Sequence, residues 1–71
     1  MTIKETKTSR GFGHISFNDK NKIKCRLQKS SSAIKNKIWL GIYDHEMHLT
    51  QKQVKQLLPY LKRFVKTGDI L

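Results

Sequence analysis

The sequence predicts an α+β fold: a small antiparallel sheet of three to four strands, covered on one face by a C-terminal helix. Three observations carry this reading. Val54, Leu57, Leu58, Leu61, Phe64 and Val65 follow the i, i+3, i+4, i+7 spacing of one helical face. Two stretches upstream alternate apolar and polar residues with the period of a strand. Between those stretches lies a turn sequence, Asn18-Asp19-Lys20-Asn21.

Residues 1–9 are polar and without period, so they read as a flexible N-terminal arm. Residues 10–71 read as a single ββββα-type domain. The strand predicted at 10–18 puts Ile15 and Phe17 on one face and Phe12, His14 and Ser16 on the other. In the turn that follows, Asn21 is expected to take the left-handed conformation. The strand at 22–28 alternates Ile23, Cys25 and Leu27 against Lys22, Lys24, Arg26 and Gln28. A loop rich in Ser and Lys leads to a strand at 37–43, with Ile38, Leu40 and Ile42 opposite Trp39 and Tyr43. Asp44-His45-Glu46 turns the chain, and residues 47–49 are a candidate fourth strand.

The helix is predicted over 50–67. Thr50 and Gln53 have the spacing of a capping box, and Leu49 before the cap can staple onto Val54. Gly68 suits a left-handed C-terminal cap, with Lys62, Arg63 and Lys66 where the helix dipole favours cations. Pro59 deprives the Lys55 carbonyl of its helical partner, at about 3 kcal/mol. The apolar phase continues through it, so a kink at Pro59 is expected rather than a stop. The helix should cover the face bearing Ile15, Phe17, Ile23, Cys25, Leu27, Ile38, Leu40 and Ile42.

Seventy-one residues give a thin core, which oligomerisation often supports. One cysteine excludes an internal disulfide framework and fits a reducing cytoplasm. No stretch reads as a membrane span or signal peptide. The formal charge of +10 favours an anionic partner such as nucleic acid, a nucleotide, an acidic protein or a lipid head group. It is equally the composition of a Lys-rich chain that uses lysine as a solubiliser. The face away from the helix mixes cations with aromatic rings, as a stacked base and its phosphates require. A second subunit would also cover that face, and ligand sites formed between subunits satisfy both readings.

Arg10-Gly11-Phe12-Gly13-His14-Ile15-Ser16-Phe17 nearly spells an RNA-recognition octapeptide, with His14 the departure. In an RNA-recognition motif that octapeptide lies on the third strand, and ten upstream residues cannot build the elements before it. A cold-shock barrel is all-β, which the C-terminal helix opposes. An ordinary first strand is the plainer reading. Gln28-Lys29-Ser30-Ser31-Ser32 offers an amide, a cation and hydroxyls suited to phosphate or base edges, and equally to a polar connector. His45-Glu46-Met47-His48 lacks the i, i+4 helical spacing of a zinc site. Cys25 belongs in the core rather than at a nucleophile. Glu5, Asp19, Asp44, Glu46 and Asp69 form no carboxylate pair for acid–base catalysis, so no enzyme, cofactor or metal is expected.

A longer pattern runs through the chain: Arg10-Gly11-Phe12, Leu27-Gln28, Ser30-Ser31, Ala33, Ile38-Trp39-Leu40-Gly41, Met47-His48-Leu49-Thr50, Gln53-Val54, Leu57-Leu58-Pro59, Phe64-Val65 and Thr67-Gly68. Over residues 10–71 it resembles a family of small phage and prophage proteins. Members often carry a longer insert before Met-His-Leu-Thr, where this chain has only Asp44-His45-Glu46. By analogy with small phage counter-defence proteins, the resemblance implies a non-enzymatic, oligomeric protein in the cytoplasm of a bacterial host. It would sequester an anionic nucleotide immune signal, cyclic dinucleotides included. Arg10, Lys29, Ser30 and Ser31 are candidates for phosphates or base edges, with Phe12, His14 and Trp39 beside them. The competing classes are a single-stranded nucleic-acid binder and an anti-CRISPR-like protein inhibitor of a host effector.

Overall fold

The computed structural model describes residues 2–30, 36–42 and 46–71. It contains β1 (Lys4–Lys7), β2 (Gly13–Asn18), β3 (Lys24–Lys29), β4 (Ile38–Gly41) and α1 (Gln51–Thr67). The strands form one antiparallel sheet in the order β1-β2-β3-β4, followed by the helix. The fold class is therefore the one the sequence predicts. Tyr43, Asp44 and His45 lie outside the described residues, as does the loop at 31–35.

One element of the sheet differs from expectation. The fourth strand is not at 47–49, which has no strand assignment. It is β1, in the segment read as an arm, and it pairs with β2 in the register Lys4↔Ser16 to Lys7↔Gly13. Lys-Glu-Thr-Lys carries no apolar alternation because an edge strand need not bury either face.

Both described hairpins use the same loop. The Gly11 N–H donates to the Thr8 carbonyl and the Thr8 N–H to the Phe12 carbonyl, with Gly11 left-handed at φ 82°. Likewise the Lys22 N–H donates to Asp19 and the Asp19 N–H to Ile23, with Lys22 at φ 63°. Each is a type I turn closed by a left-handed residue. The side chain of the first residue repeats too. Thr8 Oγ1 accepts from the Phe12 N–H at 3.1 Å, and Asp19 Oδ1 from the Ile23 N–H at 3.0 Å. The left-handed position thus falls on Lys22, one residue beyond the Asn21 expected.

Asp19 also explains residues 47–49. Its Oδ2 accepts from the His48 N–H at 3.2 Å, and the His48 carbonyl accepts from the Lys20 N–H at 2.8 Å. The segment entering the helix is thereby tied to the hairpin tip without joining the sheet. Burial of Asp19 raises its carboxyl pKa, but hydrogen bonds from the Ile23, His48 and Asn21 N–H groups outweigh this. The net value lies below its ordinary 3.8.

The helix begins as predicted. Thr50 Oγ1 accepts from the Gln53 N–H at 3.1 Å, and Gln53 Oε1 accepts from the Thr50 N–H at 2.9 Å. It runs as one element through Pro59 and ends at left-handed Gly68, whose N–H donates to Phe64. The core comprises Ile15, Phe17, Cys25, Leu27, Leu57 and Ile70. Two expected core placements need correction. Leu40 pairs with buried Leu27 yet is 45 % exposed, and Val54, Leu58 and Val65 are exposed although they continue the helix's apolar arc. The arc that meets the sheet is narrower, centred on Leu57 and Phe64.

Candidate functional site: the open face of the sheet

Antiparallel register places directly paired residues on the same face. Opposite the helix, this gives two cross-strand rows: Thr6–His14–Gln28–Trp39 and Lys4–Ser16–Arg26–Gly41. Asn18 and Lys24 form the end of a third. Lys4, Lys24 and Arg26 therefore share a surface with Trp39 and two hydroxyls. The nearby carboxylate, Glu5, has the opposite parity. It faces the helix and accepts from the Tyr60 hydroxyl at 3.0 Å.

The rows are cross-linked by side chains. Arg26 Nη1 donates to Gln28 Oε1 at 3.0 Å, and its guanidinium carbon lies 5.8 Å from the Trp39 ring centre. Thr6 Oγ1 and His14 Nδ1 share a hydrogen bond of 3.1 Å. Trp39 is 54 % exposed, so its ring remains available beyond the guanidinium contact. A shallow cavity of about 410 Å³ runs over Lys4, Thr6, His14, Ser16 and Arg26. A second, of about 500 Å³, adjoins it at the β4 edge, over Arg26, Trp39, Leu40, Gly41 and Ile42. Gly41 gives the row no side chain opposite Arg26, which leaves the floor low there.

The residues singled out from sequence divide between this face and one end of the sheet. His14 and Trp39 are on the face, with Gln28 between them. Arg10 is exposed in the β1–β2 turn. Lys29 caps the Phe12 ring at 4.8 Å, but its register partner is Ile38, which packs against the core. That parity puts Lys29 on the helix side. Ser30 is buried, and its N–H donates to the Lys37 carbonyl at 2.8 Å. Ser31 lies outside the described residues. The structure thus brings His14 and Trp39 into one row and sets Arg10, Phe12 and Lys29 apart from it.

Lys4 and Thr6 were invisible to sequence reasoning because β1 was. The available signal was Ser9-Arg10-Gly11, a three-residue loop with glycine where a hairpin needs it. The remaining chemical groups are quiet. Cys25 is a buried thiol whose pKa is raised by desolvation and by the Asp19 charge, so it stays protonated. His45 is outside the described residues, and among those described no group of three metal-ligating side chains comes together. No helix among the described residues is long and apolar enough to cross a membrane.

No protein-family model, curated protein or solved structure matches the chain.

Proposed function

We propose that this is a non-enzymatic binding protein whose open sheet face takes nucleotides, and that a short single strand fits it best. The observation that carries this is the pairing of Lys4, Ser16 and Arg26 in one row with Trp39 in the next. Cations spaced along a sheet hold phosphates, and an exposed indole stacks a base. Because the face is shallow, one copy does not enclose a small ligand, whose site normally buries most of its surface. An extended strand needs no enclosure.

The second reading is sequestration of a small nucleotide signal, as the phage-family resemblance implies. It calls for two copies meeting through their open faces, with Trp39 of each closing over the ligand. Exposure of Trp39 favours it equally. Titration of a thymidine dodecamer and a cyclic dinucleotide separates the two. A strand that engages three cations should lose about twentyfold in affinity from about 50 to about 200 mM salt. A ligand held between copies should bind one per two chains and double the mass in solution. Binding of neither ligand at low salt overturns both readings and leaves a protein target.

A further inference from the structure

We infer that the β4 edge pairs with the β4 edge of a second copy, joining two four-stranded sheets into one across a two-fold axis. The two edges of this sheet are built differently. β1 is Lys-Glu-Thr-Lys, exposed along its length, and lysines on an edge strand discourage pairing with another chain. β4 is Ile-Trp-Leu-Gly, without charge, and among the described residues its one strand neighbour is β3. Trp39 on the open face and Leu40 on the helix face are 54 % and 45 % exposed. The cavity over Arg26, Trp39, Leu40, Gly41 and Ile42 is bordered by residues of both faces, so it runs beside the strand rather than over the sheet.

The backbone is in phase for pairing. The Ser30 N–H donates to the Lys37 carbonyl at 2.8 Å, which makes Ser30–Lys37 a hydrogen-bonded pair. By antiparallel alternation Gln28–Trp39 is the next such pair, so Ile38 and Leu40 turn their N–H and C=O groups outward. A two-fold through Leu40 sets that residue opposite itself, and the two copies exchange both hydrogen bonds there. Trp39 then lies opposite the other copy's Gly41, where a Cβ would meet nothing within 4 Å. The ring has room over that glycine, and beside it stands the other copy's Arg26, the glycine's register partner. Ring and glycine both belong to this one strand, so the strand that fits it is its own copy.

Charge agrees with that occupant. At a formal +10, two copies repel one another over most of their surface. Ile38 to Ile42 bring no charge to the axis. The closest cations of the two sheets would be the Arg26 residues. Three strand intervals and a two-residue offset hold their backbones about 16 Å apart, beyond the screening length. This dimer sets the two open faces side by side, not against each other, and stands whether or not they bind nucleotide.

Sedimentation equilibrium at high micromolar concentration should give the unmodified chain a mass of about twice 8.3 kDa and no more. Leu40→Pro removes an N–H that points away from β3, so the folded chain should keep its circular dichroism. The two-fold makes the loss count twice, and dimerisation should weaken about tenfold or more. Leu40→Lys and Leu40→Glu each set like charges opposite one another, and each alone should be monomeric. Mixing the two should restore a dimer of one copy each, which a misfolded variant cannot do. Val65→Lys, on the exposed side of α1, should leave dimerisation unchanged. A monomeric unmodified chain, a dimer indifferent to the Leu40 variants, a mixture that stays monomeric, or a dimer broken by Val65→Lys overturns the proposal. So does assembly beyond the dimer, which would need a surface other than the β4 edge.

Discussion

Asp69 reaches back from beyond the helix to accept from the Gly13 N–H at 3.3 Å, across 56 residues of chain. A Cβ on Gly13 would stand 2.6 Å from that same carboxylate and 2.9 Å from Ile70 Cγ1. Gly13 is therefore small so that the C-terminal tail can dock, with Ile70 wholly buried. Gly13→Ala should destabilise the fold by about 1–3 kcal/mol through overpacking, read as a lowered urea midpoint at constant m-value.

The helix has a dry face and a wet one within the same apolar arc. Leu57 is 2 % exposed and Val65 is 85 % exposed. Leu57→Ala should cost about 2–5 kcal/mol. Val65→Ala should stay within about 0.5 kcal/mol. Urea melts that rank the two equally would show that the helix packs on a different face.

Amphipathic periodicity located α1, and the Thr50, Gln53 and Gly68 signals located its ends, because caps are local chemistry. Periodicity also located β2, β3 and β4, each with an apolar face. It could not tell how much of the helical arc a four-stranded sheet covers, so Val54, Leu58 and Val65 were grouped with Leu57. Nor could it find β1, whose place depends on pairing with β2 rather than on its own pattern. Two of the eight residues in the candidate site's two rows come from that strand. Ser16, Lys24 and Arg26 were already assigned to the open face, whereas Lys4 and Thr6 were not. The reason for a glycine at 13 is tertiary and lies 56 residues away in Asp69.

Asp19 should set part of the acid stability. Its folded-state pKa lies below the ordinary 3.8, held there by backbone N–H groups against the effect of burial. The carboxylate's contribution is thus complete above the unfolded pKa and is lost as pH falls through the folded one. Asp19→Asn should lower stability at neutral pH and flatten its pH dependence on the acid side, below about pH 4. Denaturation curves at stepped pH test this. An unchanged acid slope in the variant would mean that other carboxylates govern it.

The Cys25 thiol should react slowly in the native protein. It is 2 % exposed and donates to the Ile23 carbonyl at 3.3 Å, with its pKa pushed up by burial and by Asp19. Modification by a thiol reagent should need opening of the sheet. The rate should therefore rise in Gly13→Ala as that variant loses stability. Rapid labelling of the unmodified native chain would place Cys25 outside the core.

Binding variants distinguish the open face from the turn end of the sheet. If a single strand lies across the two rows, Trp39→Ala removes a stacked base, worth about 1–3 kcal/mol, or roughly tenfold to a hundredfold in affinity. Arg26→Ala should cost a similar factor, because its guanidinium is held by Gln28 beside the Trp39 ring. Lys4→Ala and Lys24→Ala should weaken all sequences alike and each reduce the salt slope by about one phosphate contact. Arg10→Ala and Lys29→Ala should change affinity little, since Arg10 sits in the turn and Lys29 is spent on Phe12. The decisive comparison is Arg26 against Arg10, which remove the same charge from different ends of the sheet. An equal loss from both would point to general attraction to a basic chain. A larger loss from Arg10→Ala would put the ligand over the β1–β2 turn, and the open face would not be the site.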